Sequence, residues 1–476
     1  MSVKITSYTV HDLRFPTDVY GDGTDAMNKS CDHSMAYIRV NTNSDLKGSG
    51  MTFSIGRGND ILCYAISQIA ERIIGMDVEE IFGDMGAFWE YIVVADPQLR
   101  WLGPEKGVMH LASAAVVNKL WDMYALSRKK PLWKLIADFT PEEFVKAAAF
   151  KYVEDTLSKE EALAILKDGQ ARKEARIQEV VGKGYPAYTT SAGWLGYSDE
   201  KVERLVRDAL GKGFNHIKLK VGANRDNDLR RCELVRSIID NPDNMPTGFH
   251  VDPSSIVGKN AGPTGCVLMV DANQVWTVSE TIDYMTHLAP AKPWFIEEPT
   301  APDDAVGHAK IRKALKPMGI KVATGEHTHN RMAFKQFFEL EAYDVCQMDA
   351  VRVGGFNEVL TILLMAKKYG VPVCPHSGAV GLMNYHVHVS LIDFVCVTGE
   401  MEHNVLEYVD HHFVHDPFIH PVGPVNARGR YPVPLDPEVG ASIAIFDKTI
   451  EKFSHPHGSY WAAHLRGEDT QQALDA

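Results

Sequence analysis

From Tyr188 onward, short apolar runs alternate with longer segments in which apolar residues recur three and four positions apart. Continuous runs suit strands buried on both faces, and the three-and-four spacing suits amphipathic helices. The runs predict strands at Tyr188–Ser191, His216–Val221, Val267–Asp271, Trp294–Glu298, Lys321–Glu326, Asp344–Asp349, Val371–His376 and Phe394–Thr398. Between them the periodicity predicts helices over Asp199–Leu210, Asp226–Ile239, Val278–Leu288, from Asp303, and over Asn330–Leu340 and Asn357–Tyr369. Repeated strand–helix units build a parallel sheet, and eight of them point to closure into a (β/α)8 barrel. A doubly wound open sheet is the alternative, but no Gly-x-Gly-x-x-Gly follows the first strand.

The first 150 residues lack this rhythm. Val3–Val10 and Met35–Val40 read as strands of a meander, and Asp60–Ile74 and Gly107–Leu126 as helices. Pro, Gly and Asp interrupt the stretch from His11 to Asp32, which predicts a mobile loop. Residues 240–265 are rich in Pro, Gly, Asp and Asn, too long and polar for an ordinary connection, and read as a surface insertion. After Val409 the rhythm stops, and the remaining tail is expected to pack back on the N-terminal region, with its final residues frayed.

Composition narrows the function. The 476 residues carry 49 Lys and Arg against 62 Asp and Glu, a formal charge of −13, with 45% hydrophobic residues. That apolar content excludes a disordered chain, and the acidic balance argues against nucleic acid or an anionic membrane as partner. No apolar run approaches the ~18 residues of a membrane span, so no membrane is expected either. The seven cysteines include no Cys-x-x-Cys pair, which suits a reducing compartment, and the start lacks the apolar core of a signal peptide. A soluble cytoplasmic enzyme acting on a small molecule is expected, as a homo-oligomer.

Six consecutive predicted strands end in ionisable residues: Lys218 and Lys220, Asp271, Glu297 and Glu298, Glu326, Asp349 and His376. In a barrel those ends share one face, where the chemistry of such folds resides. Asp271, Glu297 and Glu326 come from successive strands; unpaired they would repel one another, and a hard cation held by oxygen ligands, Mg²⁺, relieves that cost. Ion pairing with nearby lysines is the plainer alternative. Lys218 and Lys220 lie two apart on a strand, so both point into the barrel, and two adjacent cations are expected to lower each other's pKa until one is a neutral base. Asp349 beside His376 would fix the imidazole tautomer and keep the ring protonated. Strand two faces strands six and seven across the barrel, so a lysine base and a His–Asp acid would flank the metal.

The strings RFPTDVYGDGTDAMN, MTFSIGRGND, LRWLGPEKGVMHLA, YPAYTTSAGWLGYSD, HIKLKVGA, MVDANQVW, FIEEPTAPDD, TGEHTHNR, LLMAKKYGVPVCPHSG and YVDHHF run in order over nearly the whole chain. Together they resemble the enolase superfamily, in its mandelate racemase subgroup, and most closely the L-fuconate and L-galactonate dehydratases. The resemblance implies an α/β architecture: a modified, TIM-like (β/α)8 barrel over 151–410, with an α+β capping domain. It places that cap at 1–150, with a specificity loop near 11–33, completed by 411–476. It implies Mg²⁺ ligands Asp271, Glu297 and Glu326, base Lys220 with partner Lys218, and the dyad Asp349–His376. It puts Asp25 and His33 in the specificity loop and makes Asn273 and Glu407 substrate contacts. The implied reaction is dehydration of an aldonate, L-fuconate first and L-galactonate as the alternative, each to its 2-keto-3-deoxy acid. Racemisation or epimerisation, or a silent binding protein on the same fold, are more distant. Three departures bear on substrate: Cys31-Asp32-His33 stands where similar dehydratases read Tyr after Asp, PHSGAVG replaces PHAGGVG, and the insertion is additional.

Overall fold

The computed structural model describes residues 2–17, 22–29, 32–249, 251, 256, 258–401, 404–410, 417–468, 470 and 474. Near the N-terminus, β1 (Ile5–Arg14), β2 (Ser34–Thr42) and β3 (Lys47–Ser54) form an antiparallel meander in that order. The helices Asn59–Ala70 and Gly107–Ser127 pack against it. His11–Arg14 belongs to β1, so the expected loop begins later than predicted. Their pairing with Tyr37, Ala36, Met35 and Ser34 overrides the polar residues in that stretch. Within the loop, 18–21 and 30–31, Cys31 included, lie outside the described residues.

The second sheet is parallel and curls. Its strands are β4 (Tyr185–Thr189), β5 (His216–Lys220), β6 (Val267–Asp271), β7 (Phe295–Glu297), β8 (Lys321–Thr324), β9 (Val345–Cys346) and β10 (Leu406–Tyr408). The order is β10-β4-β5-β6-β7-β8-β9, and β11 (Arg430–Tyr431) runs antiparallel beside β4. The seventh barrel position is a single parallel bridge from Cys346 to Val373. Pro372 and Pro375 flank that bridge without N–H groups, so the predicted strand Val371–His376 makes no longer ladder.

The predicted eighth strand is a correction. Phe394–Thr398 lies in a π-helical turn, Asp393–Thr398, that continues the helix Leu382–Ile392. A short, wholly buried apolar run has no face to reveal its period, so strand and helix look alike. Leu406–Tyr408 takes the eighth place instead, pairing with β4.

Alternation along the strands sorts the two faces. Leu268, Val270 and Ile296 join the large core under the helices, whereas Val267, Met269, Phe295, Ala323, Val345, Cys374 and Val405 fill the barrel with Tyr188 and Trp294. Lys259 of the 240–265 segment meets this plug from below, its Nζ 3.1 Å from His216 Nε2. Both chain ends meet in the N-terminal layer: Leu13 bridges Ser454, and Trp461 Nε1 donates to Arg14 O at 2.9 Å.

A buried ionic network ties that layer to the barrel helices. Arg331 NH1 donates to Glu105 at 2.6 Å and to Glu358 at 2.7 Å, while Glu358 Oε2 lies 2.8 Å from His110 Nε2. Arg331→Met is expected to destabilise the protein by about 3–5 kcal/mol, because two buried carboxylates lose the cation they share, leaving Glu105 with Arg100 and Glu358 with His110. Denaturant unfolding checks this, and a loss under about 1 kcal/mol would mean the network relaxes freely.

Candidate active site

The inward positions of the strands converge on one cavity of about 380 Å³ beneath the N-terminal layer. Lys220, Asn273, Glu326, His376 and Glu407 line it from the barrel, and Asp25, His33, Phe53 and Ile61 from the other side. Asp271, Glu297, Asp349 and Lys218 lie buried just behind them. Lys220 pairs with Asp271 across β5 and β6, and Asp271 with Glu297 across β6 and β7, so these ends are in register.

The charges are closely matched. Lys218 Nζ donates to both Glu297 oxygens at 2.8 Å and lies 3.1 Å from Glu407. Lys220 Nζ donates to Asp271 at 2.5 Å. Burial pulls both lysines down, but these carboxylates outweigh it and hold both above the ordinary value. The expectation that the two cations depress each other is therefore reversed: Asp271, Glu297 and Glu407 lie against them, and opposite charges at contact dominate. Burial above all pushes Glu297 up to about 8, against the pull of Lys218. Glu407 goes the other way, drawn to about 2 against burial, chiefly by Lys218.

His376 Nδ1 lies 3.2 Å from Asp349, which also accepts Val351 N–H at 2.8 Å. Against the effect of burial, Glu326 and Asp349 raise the His376 pKa to about 9. Its Nε2 lies 3.1 Å from the Gly378 N–H and 3.4 Å from Glu326. One neighbour stabilises an accepting ring nitrogen and the other a donating one, which suits a group that gives and regains a proton.

The remaining predicted residues differ in what they offer. Asp25 Oδ1 accepts Met27 N–H and Asn28 N–H at 2.8 and 2.6 Å, so it fastens its own loop. His33 is buried, and desolvation lowers it to about 4, a neutral ring. Asn273, at φ 47°, leaves a buried Oδ1 without a hydrogen-bond partner. Glu407 also accepts from Thr190 at 2.5 Å and Ser377 N–H at 2.8 Å.

Sequence reasoning gave Glu298 no role at its strand end and missed His327 and Gln347. Among the described residues, one group of ligand-type side chains has its atoms within 4.8 Å of one another, and it is Glu298, Glu326 and His327. Gln347 Nε2 donates to Glu297 at 2.8 Å. Gln347 lies two residues before Asp349, and that spacing was the available signal. Asp271, Glu297 and Glu326 are an all-oxygen donor set that fits a hard divalent cation, which would replace their present partners. The group containing His327 suits a softer ion.

Residues 201–447 match the family described as enolase C-terminal domain-like. Along 95% of its length the chain is 49% identical to the L-galactonate dehydratase of Hypocrea jecorina, 455 residues covering 94% of that protein. This chain belongs to the enolase superfamily. A second superfamily member, human mitochondrial enolase superfamily member 1, is 42% identical over 98% of this chain and 99% of its own. Its crystal structure superposes with a TM-score of 0.89 at 41% identity, covering 98% and 99% of the two chains. The L-talarate/galactarate dehydratase of Salmonella typhimurium LT2, liganded with Mg and L-lyxarohydroxamate, shares the superfamily fold at a TM-score of 0.65 and 22% identity, covering 94% and 92%. The curled sheet is thus the superfamily's modified barrel with its capping domain. Within the superfamily the chain stands with the acid-sugar dehydratases, which are hydro-lyases. No helix among the described residues is long and apolar enough to cross a membrane.

Proposed function

We propose that the protein is a Mg²⁺-dependent dehydratase of six-carbon aldonates, with L-galactonate its first substrate and L-fuconate its second. The observation that carries this reading is that Lys220 and His376 line one cavity with Glu326, directly in front of Asp271 and Glu297. Asp271, Glu297 and Glu326 would hold the Mg²⁺. Bound there, the ion would supply positive charge to the substrate carboxylate and would offset the Asp271 charge beside Lys220. Lys220 Nζ takes the proton from C2. The C2–H electron pair passes first into the substrate carboxylate; in a second step it forms the C2=C3 bond as the C3–O bond breaks, and His376 protonates the departing hydroxyl to water. Asp349 holds the imidazole through Nδ1, so Nε2 is the nitrogen that delivers the proton. The enol left behind tautomerises to a 2-keto-3-deoxy acid. Each positioned proton transfer contributes roughly 10²–10⁴-fold.

The relative at 49% identity supports L-galactonate as first choice, ahead of the L-fuconate that the sequence motifs favour. The two acids differ at C6, hydroxymethyl against methyl. The neutral His33 ring supports the first, since it can bond a hydroxyl, and the apolar wall of Phe53, Ile61, Leu62 and Leu111 supports the second. A site that hydrogen-bonds a hydroxyl discriminates by ~10⁴-fold, an apolar pocket by only ~10²-fold. Carbonyl formation from both acids, in the wild type and in His33→Tyr, tests the choice. We expect a galactonate preference that shrinks at least ~10-fold in the variant. A fuconate preference untouched by the substitution would reverse the order. A second copy of the chain as partner and a reducing, cytoplasmic setting are part of the same proposal; the six described cysteines are all unpaired, which fits the latter.

A further inference from the structure

Arg231 lies in the helix Arg225–Ile239, behind the cavity, and is 3% exposed. Its NH1 donates to the backbone oxygen of Lys220 at 2.8 Å. Its NH2 donates to Gly193 O at 3.1 Å and Trp194 O at 3.0 Å. Gly193 O also accepts the Lys220 N–H, at 2.8 Å, so the loop after β4 and the end of β5 are joined twice at one point. No side chain fits at Gly193, where a Cβ would stand 2.2 Å from Lys218 O. Asp228, one turn earlier on the helix, lies 3.5 Å from Arg231 and accepts the Gly222 N–H and the Tyr284 hydroxyl, each at 2.8 Å. The backbone on both sides of Val221 is therefore fastened by one buried ion pair. On the cavity side of the same junction, the Lys220 ammonium sits 5.2 Å from the Trp194 ring centre, within cation–π range.

We propose that Arg231 is a positioning residue for the base: its guanidinium ties the Lys220 backbone to Gly193 and Trp194, so that ammonium and indole form one fixed wall of the cavity. The proposal rests on Lys220 being the base. The planar fork explains the residue type. Three carbonyls from two separate segments are met by two nitrogens of one rigid group, a span that an ammonium cannot reproduce. The indole lends the wall an apolar face beside the reacting C2, which keeps water from competing for the base. A misplacement of about 1 Å costs a reaction of this kind ~10²-fold, so the clamp acts on rate rather than on binding.

The test uses the full-length protein with Mg²⁺ and L-galactonate or L-fuconate, in Arg231→Met, Arg231→Lys and Trp194→Phe. The Met variant should lose ~10²-fold in kcat, for both dehydration and exchange of the α-proton with D₂O, while KM and Mg²⁺ affinity stay within about threefold. The Lys variant should recover part of that loss, and Trp194→Phe should fall between it and the wild type. A Met variant that keeps its kcat, or loses kcat and substrate binding in equal measure, overturns the proposal. If the Met variant does not fold, the Lys variant decides, and a wild-type kcat there refutes the clamp. The two readings fail differently. Exchange that survives in Lys220→Ala removes Lys220 as base and the clamp with it. Exchange lost in Lys220→Ala but intact in a folded Arg231→Met removes only the clamp.

Discussion

Lys220→Ala is expected to abolish both dehydration and exchange of the substrate α-proton, a loss of at least ~10²-fold and up to ~10⁴-fold in each. Lys220 lines the cavity on the β5 side, its ammonium bonded to Asp271 and 5.2 Å from the Trp194 ring centre. Truncation leaves no group there to accept the proton. His376→Asn should behave differently. The amide occupies the same space beside Asp349 but has no acidic proton, so the hydroxyl cannot leave as water. Exchange at C2 precedes that step and should remain within ~10-fold of the wild type while dehydration falls ~10²-fold or more. Deuterium incorporation followed by NMR in both variants separates the two roles. Exchange retained in Lys220→Ala and lost in His376→Asn would mean that base and acid are interchanged.

The second large effect concerns the metal. Chelator-treated protein should show no turnover above background, and added Mg²⁺ should restore it. Glu297→Gln should then weaken Mg²⁺ binding far more than Glu298→Gln. Glu297 is flanked by Asp271, Glu407 and Glu326, whose charges raise its pKa further above an already buried group's value, and a divalent cation relieves that repulsion directly. Glu298 already has His327 at 3.1 Å and a bond from Gln274, so its loss disturbs the site only through Glu326. Calorimetric titration of Mg²⁺ into the three proteins measures this. A larger loss from Glu298→Gln would move the metal to the group formed by Glu298, Glu326 and His327.

Much of this architecture was legible because the barrel strands are buried on both faces and their ends are charged. Val267–Asp271 and Val278–Leu288 were read to the residue, and period-two spacing sent Lys218 and Lys220 to the same side. The eighth strand failed where that signal vanishes, in a run with no polar face. Glu298 was given no role in the site for a backbone reason. Alternation turns it away from Glu297, but φ at Glu298 is 41°, and the left-handed turn brings its carboxylate back to His327 at the cavity rim. The protonation of the lysines was misjudged because like charges two apart are visible in sequence, whereas the contact of Lys220 with Asp271 and of Lys218 with Glu297 and Glu407 is not. Arg331 and Arg231 were unreadable for the same reason: their partners are backbone oxygens and carboxylates from separate segments.

The claim that this superfamily member removes water from an aldonate is tested most directly by one proton NMR experiment in D₂O. Wild-type protein with Mg²⁺ is given L-galactonate and, separately, L-fuconate. The C2 proton signal should disappear while a C3 methylene carrying one deuterium grows in beside a C2 carbonyl. Loss of the C2 signal without a keto acid would contradict the claim in favour of racemisation or epimerisation, and unchanged spectra for both acids would contradict it altogether.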